Sequence, residues 1–236
     1  MSPAKPIPGI SDQYRVVSDV IQRRRTWKVL TDPDNPLELP PDLCAKWDPV
    51  VRDAVAVSGW APFHYARNHA GMTEPWRFHI VYSKPCRKLS RHIPEWFDDV
   101  KPNNKLPAML AACGALVLVH WLPQFDEQQA TKKQVQVNEE HLAATSAAVQ
   151  NLLLLLTAAG LGTYWSSGGF FRDPLMAGKL GMDPAGKLIA AVFIDYMPNN
   201  PDPAIERIAG KHRMARNADL NWVREVVDLD EFATSS

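Results

Sequence analysis

The sequence predicts an α+β fold. Helix-like and strand-like segments follow one another irregularly, unlike the steady alternation of a doubly wound sheet. Two runs, 76–82 and 115–121, have strand character, and one helical stretch from Asn138 to about Gly160 is far longer than any other. No segment recurs within the 236 residues, so a solenoid or propeller is not expected. At 46% hydrophobic residues the chain can bury a substantial core. The expected organisation is a flexible arm over residues 1–12 followed by one domain over 13–236.

Ser11 caps a first helix that carries Tyr14, Val17, Val20 and Ile21 at helical spacing and runs into Arg23-Arg24-Arg25-Thr26. A proline-rich connector over 32–41 separates it from a second helix at about 48–58, stopped by Gly59 and Pro62. Residues after Gly59 are irregular until Trp76, where a strand runs to Tyr82 and Pro85 ends it. Short helices follow near 88–97 and 106–112. Ala115 to Trp121 is apolar throughout, as a strand buried on both faces must be. The polar residues 122–137 read as a loop or lid.

Asn138 and Glu139 open the long helix, which spans roughly 24 residues, or about 36 Å at 1.5 Å per residue. Its second half, with Leu152 to Leu156 uninterrupted, has no polar face. Such a helix must be covered on every side, and a subunit interface is the expected cover. A short strand at 163–166, a helix at 174–180 and a strand at 187–196 complete the order.

Acidic and basic residues balance at 26 each, so no global field draws the chain to nucleic acid or an anionic membrane. Cys44, Cys86 and Cys113 are odd in number and widely spaced. That usage argues for a reducing compartment and against a disulfide framework or a zinc ribbon. The first residues lack an apolar core of signal-peptide length, and the run 142–161 is interrupted by Thr145, Ser146, Gln150, Asn151 and Thr157. A cytoplasmic protein without a membrane span is the expectation.

Residues 60–82, WAPFHYARNHAGMTEPWRFHIVY, hold a dense set of reactive side chains. His64, His69, Glu74 and His79 recur every five residues, a step of about 140° around a helix and a change of face on a strand. Neither regular structure gathers them, and zinc ligands usually come in tighter pairs. A His/Glu metal-dependent enzyme is therefore the least favoured reading, and no metal is expected. Gly160-x-Gly162 follows a helix and not a strand, so it is no dinucleotide fingerprint. A phosphate loop and a nucleophile elbow are both missing.

What remains is basic and glycine-bearing. Arg24 and Arg25 with the Thr26 hydroxyl form a compact set whose guanidinium forks suit phosphate, while a helix C-terminus favours such cations on dipole grounds alone. Lys211, His212, Arg213 and Arg216 make a second basic group that also reads as a solvated tail. Gly160 to Ser167 place small residues and a Tyr-Trp pair where backbone could approach a flat ligand, or where a helix simply stops.

In order and spacing these segments resemble the FMN-dependent nitroreductase family. Arg24-Arg25-Thr26 is similar to its N-terminal Arg-Arg-Ser, and Ala61-Pro62 with Pro75-Trp76-Arg77-Phe78 to its A-P followed by Q-P-W-R-F. Ala147 to Trp165 is similar to its central helix with the Gly-Leu-Gly-x-x-Trp that follows. His64 and Trp165-Ser166-Ser167-Gly168 match the small A-P-x-His / Trp-x-Ser-Gly type, and the resemblance runs from about Val17 to Pro198.

The resemblance implies a mixed or antiparallel central sheet flanked by helices, a homodimer through the long helix, and FMN between the two subunits. It implies Arg24, Arg25 and Thr26 at the FMN phosphate and ribityl chain, with Lys211 and Arg213 as a late phosphate contact. His64, Glu74, Trp165, Ser166 and Ser167 would border the ring. The implied chemistry is ping-pong hydride transfer from NADH or NADPH through flavin N5 to an oxidised small molecule, a nitroaromatic or quinone. The cofactor carries it, and no side-chain acid or base is demanded. A flavin-binding redox sensor without turnover is the alternative.

Three departures stand out. The link from Ala61-Pro62 to Pro75-Trp76 is longer than the family's, Phe63 stands where a small or acidic residue is common, and Glu74 replaces glutamine. An ionised carboxylate only accepts hydrogen bonds, so Glu74 beside a flavin would disfavour an anionic reduced ring. The added residues, 65–73, are expected to reshape the entrance for the acceptor.

Overall fold

The structure, a computed structural model, describes residues 9, 11–68, 71–97, 104–211 and 222–223. Helix α1 (Asp12–Arg23) leads to β1 (Trp27–Leu30), α2 (Pro41–Ser58), β2 (Trp76–Tyr82), α3 (Ser83–Trp96), α4 (Leu106–Ala112) and β3 (Ala115–Trp121). Then come α5 (Lys132–Ala158), β4 (Gly162–Ser166), a 3-10 turn (Gly169–Arg172), α6 (Pro174–Lys179), β5 (Lys187–Asp195) and β6 (Glu206–Ala209). Four strands form one antiparallel sheet in the order β2-β3-β5-β4, and β1 pairs with β6 in a separate two-stranded sheet. The α+β reading and the antiparallel centre both hold.

Helices cover the four-stranded sheet on both faces, which is why β3 is apolar without alternation. Val117, Val119, Val192 and Ile194 pack with α2 and α5, while Leu116, Leu118, Ala191 and Phe193 pack with α3, α4 and α6. Helix α5 brings Val149, Leu152, Leu153 and Leu156 to the sheet at i, i+3, i+4 and i+7. Each leucine so buried contributes roughly 1.5–3 kcal/mol. Among the described residues α5 is the one helix long and apolar enough to cross a membrane, and these leucines place it against the sheet.

At Gly114 a Cβ would lie 2.2 Å from the Tyr196 ring, so the entry to β3 admits no side chain. The Tyr196 hydroxyl donates to Asp48 Oδ1 at 2.7 Å and ties the end of β5 to α2. Burial and the Asp48 carboxylate push the phenol well above its usual range, so it stays a donor.

Several boundaries differ from expectation for local reasons. Helix α2 starts at Pro41 and not near 48, because proline suits the first helical position, and the helix continues through Pro49. Helix α3 starts at Ser83 with Pro85 in its first turn, where the missing N–H would have had no helical partner. Helix α5 starts at Lys132 and not Asn138: Thr131 and Gln134 form a reciprocal capping box within a stretch whose polar composition resembles a loop. The connector after β3 therefore shrinks to 122–131, and α5 has 27 residues. Strands β1 and β6, four residues each, are too short for alternation to register and were not anticipated.

Candidate functional site

Three segments distant in the chain meet at the β4 edge. Thr26 bridges in parallel to Thr163, residues 27–30 pair with 209–206, and the Gly210 N–H donates to the Thr26 carbonyl at 2.9 Å. The approach is tight, since a Cβ on Gly210 would stand 3.0 Å from Thr26 Cβ. The basic cluster, the strand after the long helix and the Gly210-Lys211 pair thus lie together. Arg24 Nη1 donates to Thr26 Oγ1 at 3.4 Å and Arg25 Nη1 to the Gln22 carbonyl at 3.4 Å. Arg25 and Lys211 are exposed and Arg24 is half-buried. Arg213, with His212 and Arg216, lies outside the described residues.

Arg207 of β6 holds this junction. Its Nε donates to Asp195 Oδ2 at 2.9 Å, Nη1 to the Asn200 carbonyl at 2.9 Å and Nη2 to the Met197 carbonyl at 2.6 Å. Asp195 is only 3% exposed at the end of β5, so the ion pair joins the two sheets where water does not weaken it.

Beside the junction opens a cleft of about 780 Å³ between the end of β4, the 3-10 turn and the start of α4. Lys28, Tyr164, Ser166, Gly168 and Gly169 line it, with Lys28 Nζ 4.7 Å from the centre of the Tyr164 ring. Thr26 and Lys28, two apart on an extended segment, share a face. The walls carry three cations, Lys28, Lys105 and Arg172, against one carboxylate, Asp173. In a chain without net charge, the cleft is a local positive field.

The turn itself needs glycine. Gly168 and Gly169 have φ of +105° and +50°; a Cβ on Gly168 would strike Leu188 at 2.2 Å, while one on Gly169 would meet nothing within 4 Å. The backbone at Gly169 is therefore open to close approach. Ser166 Oγ accepts from the Gly168 N–H at 3.3 Å, and the Ser167 carbonyl accepts from Arg172 Nε at 2.8 Å. Trp165, between two cleft-lining residues on a strand, faces the other side of the sheet. It donates Nε1 to the Ile189 carbonyl at 3.1 Å, beside the register shift between β3 and β5.

His64 and Glu74 are elsewhere. The His64 side chain is 87% exposed, with Nδ1 3.8 Å from Glu140 Oε2 on α5. Glu74 precedes β2 and lines a groove of about 620 Å³ with Trp60, Phe63, Met72, Trp76 and Arg77. Strands β2 and β4 are opposite edges of the sheet, three inter-strand steps apart, or about 14 Å. One chain does not bring these two residues to the cleft.

Among the described residues of the long link, the Tyr65 carbonyl accepts from His141 Nε2 of α5 at 2.9 Å, and the Arg67 N–H donates to the Thr73 carbonyl at 2.8 Å. Of the histidine set proposed for metal, His69 lies outside the described residues, and among those described no group of three His, Cys, Asp or Glu could hold an ion. His79 instead meets His120 edge to face at 5.5 Å between ring centres, and the Nδ1 of each is buried without a hydrogen-bond partner among the described residues. Burial, then His79 and Arg172, push His120 down to about 4; burial and Arg77 lower His79.

Sequence reasoning missed Lys28, Asn104, Lys105 and Arg172 as cleft residues, while Tyr164 belongs to the Tyr-Trp pair it had singled out. Lys28 carried a signal, standing two residues after Thr26. Asn104 and Lys105 carried none until α4 placed them.

The model of the nitroreductase family matches residues 48–194. The chain belongs to the nitroreductase family, a family of oxidoreductases. It is 26% identical over 198 residues to YfhC of Bacillus subtilis strain 168, provisionally named an NAD(P)H nitroreductase, covering 80% of this chain and 89% of that one. A nitroreductase-like family protein from Bacillus cereus shares the fold at a TM-score of 0.57 and 22% identity, over 94% of this chain and all of that one. Nitroreductase CinD from Lactococcus lactis, solved with nicotinic acid, shares it at 0.55 and 14% identity, over 78% and 90%. A Desulfovibrio desulfuricans protein provisionally named a nitroreductase, solved with FMN, shares it at 0.50 and 21% identity, over 76% and 85%.

Proposed function

We propose that this chain is an FMN-dependent oxidoreductase that works as a homodimer, taking hydride from NADH or NADPH and passing it to an oxidised small molecule such as a nitroaromatic or quinone. The observation that carries this is the convergence of Arg24 to Thr26, Thr163 and Gly210-Lys211 beside a cationic cleft. FMN, when bound, supplies hydride acceptance and donation at its ring. The residues present suit it: guanidinium and ammonium groups for a phosphate, an aromatic face at Tyr164, and open backbone at Gly169 against which a flat ring can lie.

Arg24, Arg25, Thr26 and Lys211, with Arg213 beyond the described residues, hold the phosphate and ribityl chain. Lys28, Ser166 and Ser167 hold the ring from this chain. His64, Glu74 and the groove around Trp60 reach a ring only from a second copy, because they sit at the far edge of the sheet. Support for that copy comes from α1, whose Tyr14, Val17 and Ile21 form an apolar stripe facing outward, and from Val135 and Leu142 exposed on α5.

The test is optical. Purified protein should be yellow, and NADH or NADPH added without oxygen should bleach it. Arg24→Gln should weaken FMN retention at least tenfold, because one charge-assisted contact is worth roughly 1.5–3 kcal/mol. Colour without bleaching would favour the non-catalytic flavin-binding reading, and a colourless protein that cannot take up FMN would sink both.

A further inference from the structure

Next to the cleft, and sharing Arg172 and Pro174 with it, lies a second cavity of about 570 Å³ between the 3-10 turn, α6 and the start of β5. One part of its wall is apolar: Phe171, Met182 and Leu188 are each at most 5% exposed. The rest is polar and comes from His120, Arg172, Asp183 and Lys187. Volume and mixed lining match those of small-molecule sites.

His120 is the unusual member. It is 4% exposed and lies on the cavity wall, and its ring makes no hydrogen bond among the described residues, with Nδ1 sealed off entirely. A buried polar group is ordinarily satisfied, and Nε2 is the ring nitrogen left to meet an occupant. With Nδ1 as the sealed lone pair, Nε2 carries the proton and donates. Arg172 spends its Nε on the Ser167 carbonyl, and its terminal nitrogens make no hydrogen bond among the described residues. The Lys187 ammonium is paired with Glu127 at 2.5 Å, so it adds little unbalanced charge.

Donors from His120 and Arg172 therefore call for an anion, and the Asp183 carboxylate in the same wall disfavours a second negative charge on it. The apolar wall calls for a hydrocarbon body. We propose that this cavity is a second ligand site, for a small organic monocarboxylate held by His120 and Arg172 with its alkyl or aryl part against Phe171, Met182 and Leu188. Because Arg172 also holds the Ser167 carbonyl at the rim of the cleft, the occupant contacts a side chain that positions the cleft loop. The site does not depend on which cofactor the cleft takes.

Calorimetric titration of the protein as purified, with butyrate, butyramide and inorganic phosphate as probes, tests the site. Butyrate should bind at least tenfold more tightly than either of the others. His120→Phe keeps a ring in the wall but removes the donor, and should weaken butyrate at least tenfold. Gly178→Leu fills the cavity from α6, where an added Cβ meets nothing within 4 Å, and should abolish binding with the fold intact by circular dichroism. Equal binding of butyramide, binding of butyrate unchanged in both variants, or no heat from wild type at millimolar butyrate would each overturn the proposal.

Discussion

The four-stranded sheet and the two-stranded sheet are built on opposite principles. The larger one is apolar: β3 is buried along its whole length, and helices close both faces. The smaller one has four residues per strand and depends on a buried ion pair, Arg207 to Asp195, and on the absence of a side chain at Gly210. The larger sheet supplies most of the burial, while the smaller one brings Arg24 to Thr26 and Lys211 to the edge of β4. Stability and the position of the candidate site are thus assigned to different parts of the molecule.

The sharpest way to break that division is to damage each sheet alone. Asp195→Ala leaves the Arg207 guanidinium, 15% exposed, without its carboxylate. Removing one member of such a pair costs about 3–5 kcal/mol. Leu118→Ala, at a position with no exposure, costs about 2–5 kcal/mol through lost burial and a cavity. Urea midpoints should fall in both. Hydrogen exchange at residues 206–209 and loss of flavin should accelerate beyond the global change only in Asp195→Ala; parallel behaviour of the two variants would show that the clasp has no separate stability.

A smaller effect comes from acid. The folded value of His120, about 4, lies below its ordinary 6.5, so the unfolded chain takes up the proton first. Stability is therefore complete above pH 6.5 and declines as pH falls toward 4, by on the order of 3 kcal/mol, with His79 acting in the same direction. In His120→Phe the acid limb of urea midpoints measured from pH 7 to 4.5 should flatten. An identical slope would place the acid sensitivity elsewhere.

The smallest effect concerns a boundary. Thr131→Ala removes the cap of α5 and should cost about 1 kcal/mol, visible as a small loss of helical circular dichroism and a lower melting temperature. If the helix began at Asn138 instead, the substitution would change nothing.

Strand β3 and the second half of α5 were legible because full burial leaves a continuous apolar run, and β2 because aromatic and β-branched residues favour a strand. Trp76 to Tyr82 and Ala115 to Trp121 read as the strands they are. Helix starts were less legible where proline or polar residues serve as caps, as at Pro41, Ser83 and Thr131. In the candidate site, Arg24 to Thr26, Gly160 to Ser167 and Lys211 were visible as separate groups of suitable chemistry. Lys28 was missed although it stands two residues after Thr26, and Arg172 because a single cation on a turn has no pattern of its own.

The sequence by itself determined the α+β class and the long buried helix, which follow from local periodicity and residue chemistry, and its motifs in order carried the resemblance to the nitroreductase family. Only the tertiary structure decided that β1 pairs with β6, that Thr26 meets Thr163, and that His64 and Glu74 lie at the far edge of the sheet from the cleft. The physical reason is range. A helix or strand pattern is written within a dozen neighbouring residues, whereas the junction joins Thr26 to Thr163 and residues 27–30 to 206–209, about 135 to 185 positions apart, pairings that no local pattern encodes.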